Sequence, residues 1–136
     1  GYRHGATEVM MPMSPMFHGN AWNFPYYVPS IGAKLVLPGR DYEPDKLVDL
    51  FETEKVTITC GVPTFWLILL DYLGKKGRKL SSLRVSLSSG TAPPRWMVDT
   101  LEREYGIELI NTWGMTEANP GSKGTLNPGD GDLPRV

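Results

Sequence analysis

Apolar residues along this chain fall in short runs, separated by polar or Gly/Pro-rich breaks, and the runs alternate between two kinds. Residues 8–13 are a short apolar run that predicts a strand. Residues 14–23 predict a loop, with Pro15, Gly19 and several polar or aromatic side chains. Residues 23–31 predict a short helix broken by Pro25 and Pro29. Residues 32–37 read as a strand closed by Pro38-Gly39. Pro44 suits the first position of a helix, and Leu47, Leu50 and Phe51 give that helix one apolar face as far as Lys55. Residues 56–60 are β-branched and strand-like. Gly61-Val62-Pro63 is a turn, with Thr64 as the expected N-cap of the next helix. That helix, residues 65–73, is apolar on nearly every side, so it is expected to be buried and to end at Gly74. Residues 83–87 predict a buried strand and 88–94 a polar loop. Residues 94–105 predict an amphipathic helix with Met97, Leu101 and Tyr105 on one stripe and Gly106 as C-cap. Residues 107–112 predict a strand and 113–117 the loop after it, while 120–136 are expected to be largely loop.

Strands alternating with helices imply an α/β fold, a layered and mainly parallel β-sheet flanked by helices. In such sheets ligands bind outside the carboxyl ends of the strands. Three loops follow strand ends and carry unusual chemistry: 14–23, 88–94 and 113–117.

Composition narrows the classes further. The 136 residues suit one domain, and 40% hydrophobic with 21% charged suits a soluble globular protein. A net charge of -1, from 14 basic and 15 acidic residues, gives no field to attract nucleic acid. The single cysteine, Cys60, excludes an internal disulfide and reads as a buried, inert thiol, compatible with a reducing, cytoplasmic setting. No run reaches the roughly 20 apolar residues of a membrane span. Self-association, as a homo-oligomer, is left open. Gly1-Tyr2-Arg3 and Pro134-Arg135-Val136 both read as cuts within a longer chain.

The loop chemistry is specific in residue type. Thr116 offers a hydroxyl for a phosphate oxygen, and Glu117 a hard oxygen ligand for a nucleotide-bound Mg²⁺. Trp113 offers a flat face for a purine, and Gly114 allows close backbone approach. Judged alone, Thr116-Glu117 reads first as a helix cap. Residues 88–94, Ser-Ser-Gly-Thr-Ala-Pro-Pro, read equally as a ligand-facing loop or a plain strand-to-helix turn. His18 and Trp22, alone, read as a hydrogen-bonded histidine and a core aromatic. No Gly-x-Ser-x-Gly, Gly-x-Gly-x-x-Gly or P-loop pattern occurs, so hydrolase-elbow, Rossmann and P-loop readings have no motif.

In combination these segments resemble the AMP-forming ligase superfamily of acyl-CoA synthetases, luciferases and peptide-synthetase adenylation domains. Pro15-Met16-Phe17-His18-Gly19-Asn20-Ala21-Trp22 resembles the family's acyl-site segment, and residues 32–39 the strand and turn after it. Gly61-Val62-Pro63-Thr64 matches a family turn, and Trp113-Gly114-Met115-Thr116-Glu117 matches the [Tyr/Trp]-Gly-x-Thr-Glu signature, the most specific of the set. Asn20 and Trp22 bring the chain nearest to the medium- and long-chain fatty acyl-CoA branch.

The resemblance implies roles. Thr116 contacts the α-phosphate, Glu117 ligands Mg²⁺, and Trp113 stacks on adenine with Gly114 and Met115 beside it. Ser89, Gly90, Thr91 and Ala92 line the adenine and acyl pocket. His18 lies near the acyl carboxylate, and Trp22 gates the fatty-acyl tunnel. ATP, Mg²⁺, coenzyme A and a fatty acid are the implied cofactor and substrates. Ser88-Ser89-Gly90 departs from the usual Gly-Gly-Ser/Ala, so side chains at 88 and 89 are expected to narrow the pocket or change its hydrogen bonds. The resemblance makes residues 1–136 an internal fragment of the large N-terminal domain, lacking the phosphate loop and the C-terminal domain, and inactive alone. An aryl- or amino-acid-adenylating ligase and a non-catalytic nucleotide- or partner-binding α/β module are the competing readings.

Overall fold

The computed structural model describes residues 5–116 and the backbone of residues 123–125. Its elements are β1 (Val9–Pro12), α1 (Gly19–Trp22), α2 (Phe24–Ser30), β2 (Lys34–Leu35), α3 (Pro44–Glu54), β3 (Ile58–Gly61), α4 (Pro63–Lys76), β4 (Val85–Ser88), α5 (Arg95–Tyr105), β5 (Glu108–Thr112) and β6 (Lys123–Thr125). The sheet order is β2-β1-β3-β4-β5-β6. The first five strands are parallel and β6 is antiparallel to β5. The α/β expectation therefore holds, with one antiparallel edge strand inside the segment expected to be loop.

Both faces of the sheet are covered, so even polar strand positions such as Thr59, Ser86 and Ser88 are buried. Met10 and Met11 are neighbours in β1 and point to opposite sides. Met11 joins Leu47, Phe51, Trp66, Leu73, Met97 and Leu101, the inward faces of α3, α4 and α5. Met10 joins Phe24 and Val28 of α2 with Ile58, Cys60, Val85 and Ile110. At the amino ends of the strands Glu8 accepts hydrogen bonds from Arg84 and, at 2.5 Å, from the Thr57 hydroxyl. This pins the starts of β1, β3 and β4 together.

Helix α4 departs from expectation in three ways. Val62, not Thr64, holds the N-cap position, because Pro63 occupies the first helical turn with its φ already set. Gly74 lies inside the helix. A glycine there costs only about 1 kcal/mol, Lys75 and Lys76 favour the carboxyl end of the dipole, and the stop comes at Gly77 (φ 61°), whose N–H donates to the Leu73 carbonyl. Third, α4 is not buried all round. Trp66, Leu69, Leu70 and Leu73 face the core, while Leu67 and Ile68 are exposed among the described residues.

Candidate functional site

Strand register decides which loops meet. Pro12 pairs with Cys60, and Gly61, Ser88 and Asn111 align in a row across β3, β4 and β5. The four strands thus end nearly level, and loops 14–23, 62, 89–94 and 113–116 leave from one edge. The chain runs from β1 outward to β2, then returns past β1 to β3. That reversal between β1 and β3 is the place where a parallel sheet opens a crevice at its carboxyl edge.

The loops interlock closely. The Met13 N–H donates to the Cys60 carbonyl at 2.8 Å. A Cβ added to Gly61 would lie 3.3 Å from the Met13 Cβ and 3.4 Å from Phe65 Cδ1. Gly90 has φ +92°, a conformation that needs glycine, and its backbone packs toward Val62, with 3.4 Å left between an added Cβ and Val62 Cγ1. The Thr112 hydroxyl donates to the Ser88 carbonyl at 3.1 Å.

On this edge His18 is exposed, its backbone N–H donating to the Pro15 carbonyl at 3.0 Å. Trp22 is half-buried, packed against the core beside α2. Ser89 is half-buried, and Gly90, Thr91 and Ala92 are exposed. Trp113, Gly114, Met115 and Thr116 are all exposed, with Trp113 50% and Met115 49% open to solvent. Glu117 lies outside the described residues. Neighbouring strands are spaced about 4.8 Å, so the exits of β1 and β5, three spacings apart, are separated by roughly 15 Å. The two clusters of candidate residues, His18 with Trp22 and Trp113 with Thr116, thus lie at opposite ends of a long edge.

Ser88 corrects part of the expectation about the adenine loop. It is fully buried, and its Oγ has no hydrogen-bond partner among the described residues. Of the two serines, Ser89 is the one partly open to solvent. Two positions earlier on the same face, the Ser86 hydroxyl is satisfied by Trp66 Nε1 at 2.9 Å. The Cys60 thiol is buried and pushed up to about 12 by that burial, partly offset by hydrogen bonds from the Ser14 and Met13 backbone. It stays protonated and takes no nucleophilic part.

The expected 14–23 loop closes into a left-handed turn. Residues 19–23 all have positive φ: 53°, 50°, 50°, 55° and 63°. The signals that mark it are Gly19, Asn20 and Asn23, residue types that tolerate this region. Ala21 and Trp22 carry no such signal.

With the exception of His18, the described loops of this edge hold no ionisable side chain. Among the described residues no group of three or more His, Cys, Asp or Glu side chains is placed to hold a metal ion. No described helix is long and apolar enough to cross a membrane.

Comparison with known proteins agrees with this geometry. The family model described as AMP-binding enzyme matches residues 1–136. The chain is 47% identical over 113 residues to a long-chain-fatty-acid–CoA ligase of Thermus thermophilus, covering 83% of this chain and 21% of that protein. It is 44% identical over 124 residues to a 3-methylmercaptopropionyl-CoA ligase of Ruegeria lacuscaerulensis, covering 91% of this chain and 23% of that protein. The chain thus spans about a fifth of the length of these relatives. The fold superposes on a long-chain-fatty-acid-CoA ligase from Archaeoglobus fulgidus with TM-score 0.76 at 21% identity, over 90% of this chain and 26% of that one. By sequence over its whole length, the chain belongs to the AMP-binding enzyme family.

Proposed function

We propose that the protein containing this chain is an ATP-dependent acid–CoA ligase acting on fatty or similarly apolar carboxylic acids. The observation that carries this reading is the identity, 42–47% over 113 to 124 residues, to ligases named for long-chain, medium-chain and 3-methylmercaptopropionyl acids. The reaction has two steps. The acid's carboxylate oxygen attacks the α-phosphorus of ATP and pyrophosphate leaves, giving acyl-AMP. The thiolate of coenzyme A then attacks the acyl carbon, and AMP leaves as the thioester forms.

The roughly 15 Å edge suits an extended acyl-adenylate. Its nucleotide end lies by β4 and β5, where Trp113 stacks on adenine, Gly114 and Met115 flank it, and the backbone of Ser89, Gly90, Thr91 and Ala92 lines the pocket. Thr116 donates to an α-phosphate oxygen. The acyl end lies by β1, where His18 meets the carboxylate and Trp22 the alkyl chain. Glu117 ligands Mg²⁺. A glutamate carboxylate is the hard oxygen ligand that this ion takes alongside waters and substrate phosphates. Mg²⁺ supplies charge neutralisation on the phosphates. The residues of the edge add position. The setting is cytoplasmic, where ATP and coenzyme A are supplied.

The test is pyrophosphate release by the intact protein with ATP and acids from acetate to palmitate, plus benzoate. Release should require ATP and an acid, favour apolar alkyl acids, and fall about 100-fold or more in Glu117→Ala. Unchanged turnover in that variant removes Glu117 from the mechanism, and a preference for benzoate makes this an aryl-acid ligase.

A further inference from the structure

We infer that the left-handed turn over residues 19–23 is a strained positioning element that sets acid preference through Trp22. Five consecutive residues adopt the left-handed region, and four of them carry a Cβ. Residues with a Cβ visit this region singly, not in runs, because Cβ crowds the following carbonyl oxygen. Such strain persists only where the surroundings over-determine it, and it clusters at functional sites.

The surroundings here are visible. The Asn23 N–H closes the turn by donating to the Gly19 and Asn20 carbonyls, both at 3.1 Å. Ala21 is wholly buried. Trp22 packs against the cluster that holds Phe24, Val28 and Ala33. The turn therefore joins an exposed His18 to a half-buried Trp22 within four residues.

Handedness decides where that indole goes. An α-turn advances about 100° per residue, so reversing its hand between residues 19 and 22 would rotate the Trp22 side chain by about 120° around the turn axis. The indole would leave the cluster. The left-handed run is thus the feature that holds Trp22 on the core beside the β1 exit. Asn20 and Ala21 are positioning residues: Asn tolerates the conformation, and Ala is small enough for the buried site. This inference rests on the ligase reading above, because it assigns the turn to the alkyl chain of the acid.

The test uses three variants of the intact protein. Ala21→Gly removes the crowded Cβ, so it should favour the left-handed turn and shift the folding equilibrium toward the native state by roughly three-fold. Asn20→Val adds a branched side chain at positive φ and should destabilise. Asn20→Asp keeps the tolerance and should behave as wild type. Asn20→Val should raise KM for octanoate by about 10-fold, while Ala21→Gly should hold it at or below the wild-type value. Asn20→Val should leave KM for acetate and kcat unchanged and should speed hydrogen exchange at the Asn23 amide, which Ala21→Gly should slow. A merely structural turn predicts instead that Asn20→Val alters KM for acetate and octanoate alike, and that outcome overturns the inference. Unaltered exchange at Asn23 in both variants overturns it equally. A wild-type protein inactive with every acid overturns the ligase reading itself, and this inference with it.

Discussion

The same substitution made at Ser86 and at Ser88 should change stability in opposite directions. The two residues lie on one face of β4, two positions apart, and both are fully buried. Ser86 accepts a hydrogen bond from the Trp66 indole, itself fully buried, at 2.9 Å. Ser86→Ala leaves that indole N–H buried and unpaired, which costs about 2 kcal/mol. The Ser88 hydroxyl has no partner among the described residues, so its burial is an uncompensated loss of hydration. Ser88→Ala removes the polar group and should gain about 1 kcal/mol, the low end of the range for an unsatisfied hydroxyl, since a small void replaces the oxygen. With a urea slope of about 2 kcal/mol per molar, the midpoint should fall by about 1 M for Ser86→Ala and rise by about 0.5 M for Ser88→Ala. Equilibrium urea unfolding followed by far-UV circular dichroism reads both shifts, and the slope should stay constant. A fall of similar size in both variants would refute the reasoning, because it would mean that the Ser88 hydroxyl is bonded in solution.

Three further outcomes follow from the backbone and from the buried thiol. Gly77→Ala places a Cβ in open space at φ +61°, so its effect is backbone strain alone, about 1 kcal/mol, and the melting temperature should drop by about 3 °C. Lys55→Gly acts in the opposite sense: Lys55 caps α3 at φ 56°, and glycine there should raise the melting temperature by a similar amount. Cys60 has its pKa raised from 9.0 to about 12 by burial, so between those values the unfolded chain loses a proton that the folded chain keeps. Stability from this group is complete below pH 9 and declines by about 1.4 kcal/mol per unit above it. Cys60→Ala should flatten the alkaline limb of a stability–pH profile, and an unchanged limb would show that other groups control it.

Much of the fold was legible because the apolar runs and the breaks between them carry separate information. The runs 8–13, 32–37, 56–60, 83–87 and 107–112 each overlap a strand, the longest apolar run, 65–70, lies in α4, and Pro44 and Gly106 marked α3 and α5 near their true ends. The failures have local causes. Gly74 and Gly77 are equivalent as letters, and the choice between them rests on two lysines favouring the end of α4. Thr64 is a better cap by propensity than Val62, yet Pro63 fixes the helix start one residue earlier. The left-handed turn was illegible because Ala21 and Trp22 would each choose a right-handed conformation if local preference decided. Tertiary packing decides there.

The candidate site divides along the same line. Motif spacing brought out residues 113–117 and 89–92, because their chemistry resides in residue type: a hydroxyl, a carboxylate, an aromatic face and a glycine. The β1 side is different, because its chemistry resides in conformation. His18 and Trp22 are ordinary residues, and their relation depends on a turn whose hand no propensity favours. Under the proposed ligase reading, the end by β4 and β5 is specified by residue type and the end by β1 by shape. Thr116→Val should lower turnover for every acid alike, since the nucleotide is common to all of them. Changes within residues 19–23 should instead reorder the acids while leaving the nucleotide step intact. Competition assays with mixed short and medium-chain acids separate the two patterns: a Thr116→Val enzyme that reorders its acids would show that the two ends of the roughly 15 Å edge are coupled rather than independent.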